Sequence, residues 1–291
     1  MKRNLLLLSL SCFLLLSCAD SNKGYVRKAV WIMDHQGLYA EGPTWESMKD
    51  SVLSLSPNSL EEAQDIVRKA LKAAGGKHSF LYISEKVKED ISADWEMPSF
   101  AKDNEGIAVI KLPPFSGNKE QEIKYAKTVL DSLSSDIRGV VIDLQGNTGG
   151  NMYPMIAAIH PFLPDDNILQ FKSRKRTTTI SPSYVNRVAG ISPKEHIDCP
   201  VAILTDSLTA SSGEAVLICF RGLGNMRVFG TPTAGYASCN SRFPLPDGSK
   251  LILTTGCDVA RTGEAFCDDP IAPDVETSNP LEEALKWIRE K

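Results

Sequence analysis

Ser211 is the residue with the clearest chemical potential in this chain. It lies in Thr209-Ala210-Ser211-Ser212-Gly213-Glu214, between the apolar run 201–205 and the apolar run 215–220. A buried strand that turns into a helix gives a hydroxyl at the turn a set of backbone N–H groups and the positive end of the helix. Both favour a nucleophile that generates negative charge. The same residue types also make an N-cap, in which Ser211 accepts a hydrogen bond from the first turn. The local sequence alone does not separate these two uses.

Two other loops follow apolar runs in the same way. Asp143-Leu144-Gln145-Gly146-Asn147-Thr148-Gly149-Gly150-Asn151 comes after Val140-Val141-Ile142, and paired glycines let bare backbone N–H groups approach a ligand oxygen. No Gly-Lys-Ser/Thr follows, so it is not a P-loop, and it does not match GxGxxG. Phe229-Gly230-Thr231-Pro232-Thr233-Ala234-Gly235-Tyr236 follows the run ending at Val228. As a general base the obvious residue type is histidine, and there are four. His35 falls in a helical stretch, His160 precedes Pro161 and His196 sits in a polar loop. These three read as exposed or structural. His78 lies in Gly75-Gly76-Lys77-His78-Ser79.

The elements that must position these residues change in character along the chain. Residues 25–75 read as a small helical cap domain. Ser59-Leu60-Glu61-Glu62 is a capping box, the following stripe is Ala63, Ile66, Val67, Ala70 and Leu71, and Gly75-Gly76 is a helix stop. From Gly106 onward, apolar strands at 107–112, 140–144, 201–204, 228–230 and 251–255 alternate with helices at 121–133, 152–159, 212–223 and 281–289. This pattern predicts an α/β core with a sheet covered on both faces. In such sheets the strand C-termini carry the active site, which is where all three loops fall.

The 291 residues can bury a full core, and 42% hydrophobic with 23% charged residues is ordinary for a globular protein. A net charge of -4 gives no reason to expect nucleic-acid binding. The basic cluster Lys172-Ser173-Arg174-Lys175-Arg176 reads as a solvated loop or strand edge. Met1-Lys2-Arg3 and the apolar run 5–16 read as a signal peptide over residues 1–17. Leu15-Leu16-Ser17-Cys18 resembles the bacterial lipobox, which implies acylation of Cys18, a tether over 18–24 and attachment to a bacterial membrane outside the cytoplasm. Of the seven cysteines, Cys12 and Cys18 belong to that segment. The other five are an odd number, so at least one thiol stays unbonded. Cys219 reads as a buried small hydrophobe. Cys257 and Cys267 flank a hairpin and could pair, though spacing leaves the connectivity open. No CxxC is present, so no metal site is expected.

In this order, the three loops make the chain resemble the C-terminal-processing (tail-specific) serine peptidases of the ClpP/crotonase superfamily. The resemblance covers residues 76–291. It rests on Gly139 to Gly150, Val201 to Thr205, Thr209 to Glu214, Gly230-Thr231-Pro232-Thr233-Ala234-Gly235 and Ala272-Pro273-Asp274-Val275. It implies a ClpP/crotonase-like peptidase core, Ser211 as nucleophile and no cofactor. One branch uses a lysine at the position of Tyr236, which excludes a Ser/Lys site here. The tricorn-like and nisin-resistance-like branch uses a Gly-x-His-Ser/Thr histidine, which Gly76-Lys77-His78-Ser79 matches.

The implied chemistry is acyl transfer, with His78 as base. The N–H groups of Gly149, Gly150 and Ser212 form the oxyanion hole. Glu214 stands as either the orienting acid or a helix-dipole partner at position N3. The partners implied are a peptide or protein substrate and a membrane, with no nucleic acid. There is no room for an inserted PDZ domain. A catalytically inactive peptide- or lipophile-binding lipoprotein on the same fold is the alternative, and a crotonase-type enzyme acting on acyl thioesters is a third reading.

Overall fold

The computed structural model describes residues 21–83 and 95–291. The signal segment 1–17 and Cys18 lie outside them. The chain divides into two compact units, one of Met1–Ser92 with Asn240–Gly256 and one of Ala93–Cys239 with Cys257–Lys291. No helix among the described residues is long and apolar enough to cross a membrane.

The described residues of the first unit include three helices, α1 (21–36), α2 (Gly42–Ser54) and α3 (Leu60–Gly75). Residues 21–24, expected as part of a tether, are already helical. Ser59 caps α3 by accepting from Glu62 N–H at 3.1 Å, while the Glu62 carboxylate takes the N–H of Asn58 at 2.8 Å. The expected stripe Ala63, Ile66, Val67, Ala70 and Leu71 is buried against Val26, Ala29 and Met33 of α1 and Trp45 of α2. After α3, strand β1 (Phe80–Tyr82) runs antiparallel to residues 250–252. The helical region thus shares its unit with β1 and with the hairpin at 240–256.

The second unit carries a six-stranded sheet. Its strands are β2 (Ser99–Lys102), β3 (Ile107–Lys111), β4 (Gly139–Asp143), β7 (Val201–Thr205), β8 (Met226–Gly230) and β12 (Val275–Glu276). They lie in the order β12-β8-β7-β4-β3-β2, all neighbours parallel except β2 with β3. The strands β3, β4, β7 and β8 are short apolar runs because both faces are covered. Ile110, Val140, Ile142, Ile203 and Val228 pack on one face with α4 (Lys119–Leu130), α5 (Met152–Ile159) and α7 (Ser212–Phe220). Ile107, Val141, Ala202, Leu204 and Phe229 point to the other, against Ala284 and Ile288 of α8 (Pro280–Arg289).

The hairpin β5 (Leu169–Ser173)–β6 (Thr177–Ile180) and helix α6 (Pro182–Ala189) lie between α5 and β7 in sequence. The basic cluster at 172–176 forms the tip of this hairpin. β9 (Ser238–Pro244) and β10 (Lys250–Val259) each contribute residues to both units, and β11 (Ala265–Phe266) pairs with the end of β10. Beside that pairing, Cys257 and Cys267 form a disulfide. Cys219 is fully buried in α7, as expected.

Candidate active site

The C-terminal ends of β4, β7 and β8 lie side by side in a parallel sheet, so their three loops meet at one edge. Two residues tie the first two loops together. Asp206 accepts the N–H groups of Gly146 at 3.1 Å, Leu208 at 3.0 Å and Thr209 at 3.0 Å. Asn147, fully buried, donates from Nδ2 to Leu112 O at 2.8 Å and accepts Gly149 N–H at 2.9 Å and, on its carbonyl, Ala210 N–H at 2.9 Å. Thr209 adds the third loop, since its hydroxyl donates to Leu144 O and its carbonyl accepts Ala234 N–H, both at 2.9 Å.

Within this frame Ser211 has φ +52° and ψ -113° at the head of α7. Among the described residues it is the one non-glycine residue with positive φ. Ordinary caps in this chain are extended: Ser59, Asn118 and Ser181 have φ of -138°, -78° and -123°, and each side chain accepts a helix N–H. Backbone strain of this kind, of order 1–3 kcal/mol, persists only where surrounding contacts impose it. Serine on a sharp strand-to-helix turn is the geometry that presents a nucleophile. Ser211 still occupies the N-cap position, with Glu214 at N3 accepting its N–H as in a capping box, but its positive φ sets it apart from the extended caps.

Glu214 supplies much of that constraint. It is fully buried and accepts four hydrogen bonds, from Ser211 N–H at 2.8 Å, Thr233 Oγ1 at 2.5 Å, Gly235 N–H at 2.9 Å and Tyr236 N–H at 2.7 Å. A carboxylate offers about four acceptor sites, so these donors fill both oxygens. Burial raises its pKa above the ordinary glutamate value, opposed by the bonds from Thr233, Tyr236, Ser211 and Gly235. Its observed contacts hold the nucleophile's turn to the third loop. Tyr236 joins that network through its N–H, in the place where a lysine would serve a Ser/Lys site.

Gly149 and Gly150 have φ of +103° and +115°, and neither position tolerates a side chain. A Cβ on Gly149 would lie 2.8 Å from Ser211 Cβ, and one on Gly150 would lie 2.1 Å from Phe115 O. The loop is fixed to α7 by Ser212 Oγ, which donates to Gly150 O at 2.8 Å. The Gly149 N–H is already engaged by Asn147 Oδ1, so this glycine contributes close approach to Ser211 rather than a donor. The N–H groups of Gly150 and Ser212 take no part in the hydrogen bonds joining the three loops.

The second unit thus brings together Ser211, Ser212, Gly149, Gly150 and Glu214. His78 belongs to the first unit, half-buried on the turn between α3 and β1. Its carbonyl accepts Asn240 Nδ2 at 3.0 Å, and Ser79 Oγ donates to Gly75 O at 2.8 Å and accepts Thr254 N–H at 2.9 Å. Gly75 is required there, because a Cβ would sit 2.0 Å from Ser79 Oγ. The other histidines are structural or exposed. His160 is buried, with its pKa lowered by burial and its two nitrogens bonded to Ala157 O and Lys194 N–H. His35 stacks on Trp31, and His196 is exposed.

Residues 106–277, which carry all three loops, match peptidase family S41. The chain belongs to that family. It is 33% identical over 279 residues to the nisin-resistance protein of Lactococcus lactis subsp. lactis, covering 92% of this chain and 87% of that protein. To the carboxy-terminal processing protease CtpA of Bacillus subtilis it is 26% identical over 204 residues, 69% of this chain and 41% of that one. A solved lipoprotein structure from Streptococcus agalactiae matches with a TM-score of 0.83 at 34% identity, covering 92% of this chain and 96% of that one. The mixed α/β fold is that of S41 proteases, with a helical N-terminal region, and S41 membership supports a serine-type peptidase.

Asn147, Thr209, Thr233 and Asp206 are the site residues that residue type alone did not single out. They lie inside the loop motifs, but their side chains act on backbone groups of neighbouring loops, and only the folded sheet edge brings those together.

Proposed function

We propose that this chain hydrolyses peptide bonds through Ser211, with His78 as general base. The observation that carries this reading is the positive φ of Ser211 at the mouth of the Gly149-Gly150 loop. In the proposed cycle, neutral His78 takes the hydroxyl proton as Ser211 Oγ attacks the peptide carbonyl. The N–H groups of Ser212 and Gly150 receive the developing oxyanion, at the positive end of α7. His78 then protonates the leaving amine, and water hydrolyses the acyl-enzyme by the reverse path. Glu214 acts as a positioning residue that fixes the Ser211 backbone.

The substrate class is a peptide or the flexible region of a protein. The relative from Lactococcus lactis is named for resistance to nisin, which makes nisin one peptide to test. We place the enzyme at the cell envelope, with residues 1–17 removed and Cys18 acylated, a reading supported by Leu15-Leu16-Ser17-Cys18 and by the similarity to a streptococcal lipoprotein. A peptide-library digest that includes nisin tests the activity. Cleavage products made by wild type and absent with Ser211→Ala are expected, and identical products from both would refute it.

A further inference from the structure

Helix α1 has two chemically different sides. Tyr25, Ala29 and Met33 are buried in the core of the first unit. Arg27, Lys28, Trp31 and His35 are exposed, and their spacing of three to four residues puts them on one stripe. Trp31 is 59% exposed, more than any other large hydrophobic residue described. Its ring is not folded back on the core but stacks on His35, with centroids 4.5 Å apart, and His35 Nδ1 lies 2.8 Å from Trp31 O. Beside it runs a groove of about 380 Å³ lined by Arg27, Val30, Trp31, Asp34, Lys49 and Leu53. The Asp34 carboxylate in that groove is already held by Trp45 Nε1 at 2.7 Å and Lys49 Nζ at 3.1 Å. Arg27 and Lys28 take part in none of the ion pairs among the described residues.

Residue 21 is already helical and lies three residues after Cys18, so at most roughly 10 Å of chain separates the two. A lipid on Cys18 would hold α1 at the headgroup layer. An exposed indole prefers that layer, and lysine and arginine beside it are attracted to anionic lipid. We propose that the exposed side of α1 seats on the surface of an anionic phospholipid bilayer. Trp31 enters the headgroup–acyl boundary, and Arg27 and Lys28 face lipid phosphates. The acyl anchor supplies proximity, and this stripe sets which side of the first unit meets the membrane. The inference uses the proposed acylation of Cys18 and is independent of the peptidase chemistry.

The test uses the full chain, processed in its host and reconstituted into vesicles of phosphatidylcholine, alone or with phosphatidylglycerol at roughly a third of the lipid. Quenching by acyl-chain-brominated lipid is read for wild type and Trp31→Phe, and the difference isolates Trp31 from Trp45, Trp95 and Trp287. The expected result is quenching of the Trp31 component in the anionic vesicles, severalfold weaker in neutral ones and in an Arg27→Glu/Lys28→Glu variant that still floats with the vesicles. Trp31 emission indifferent to brominated lipid in a vesicle-bound chain would overturn the proposal. So would quenching indifferent to charge, failure to float with anionic vesicles, or crosslinking at position 31 to a second copy of the chain.

Discussion

Glu214 Oε2 accepts the backbone N–H of Ser211 at 2.8 Å, three residues back along the chain, while the same oxygen accepts Tyr236 N–H from the third loop at 2.7 Å. One buried carboxylate therefore sets both the strained backbone of the proposed nucleophile and the loop beside it. In Glu214→Gln one acceptor oxygen becomes an NH2 group facing N–H donors. We expect kcat to fall about 10- to 100-fold with KM little changed, and stability to fall by about 1–3 kcal/mol for the unsatisfied donors left behind. Steady-state kinetics with thermal unfolding check this. Unchanged kcat would remove Glu214 from the positioning role.

Gly149→Ala should be more damaging than its size suggests. The new Cβ would meet Ser211 Cβ at 2.8 Å, on a backbone with φ +103° that alanine adopts only with strain. The variant should lose about 1–3 kcal/mol of stability. Its rate of labelling by a fluorophosphonate at Ser211 should fall by an order of magnitude or more, the scale of a misplaced catalytic group. Gly146→Ala has nothing within 4 Å of its Cβ and serves as the strained control, with φ +73° but distant from Ser211 by contact.

Asp258 gives a pH dependence with a defined sign. It is buried in β10, with Oδ1 lacking a hydrogen-bond partner, and burial followed by the nearby charge of Glu214 raises its pKa well above the ordinary aspartate value of 3.8. The native state thus keeps a proton that the unfolded chain releases. Stability falls as pH rises from about 3.8 toward the raised native value, then levels off. Asp258→Asn removes this dependence. Denaturant midpoints of variant and wild type should agree at the acid end and diverge in the variant's favour as pH increases. Parallel profiles would contradict the assignment.

His78→Ala should lower peptide hydrolysis by at least about 10²-fold, the usual scale of general-base catalysis, with the melting temperature retained. Added imidazole should restore part of the rate, since the missing group is a base rather than a packing element. Activity equal to wild type would remove His78 from the mechanism.

Much of this site was legible in the sequence, for reasons that differ by residue. Strands β3, β4 and β7 stood out because burial on both faces makes them continuous apolar runs. β2, β5, β6 and β9 did not, because each has exposed or half-buried residues and no such run; β2, for instance, is Ser99-Phe100-Ala101-Lys102. The paired glycines were visible as a loop, but not that Gly149's N–H is engaged by Asn147, which depends on a side-chain rotamer. Glu214 was readable only as an acid near the nucleophile. Its partners at Thr233, Gly235 and Tyr236 come from a loop about twenty residues on, brought close by the parallel pairing of β7 and β8. The disulfide between Cys257 and Cys267 was one of several pairings open to five cysteines until β10 and β11 fixed the register.

Nucleophilic reactivity of Ser211 is read most directly by treating the purified protein with a fluorophosphonate, followed by mass spectrometry of the peptide containing residues 209–214. One adduct is expected, located on Ser211, formed by wild type and by Ser212→Ala and absent from Ser211→Ala. An adduct on Ser212, or an unlabelled wild type that remains folded, would contradict it.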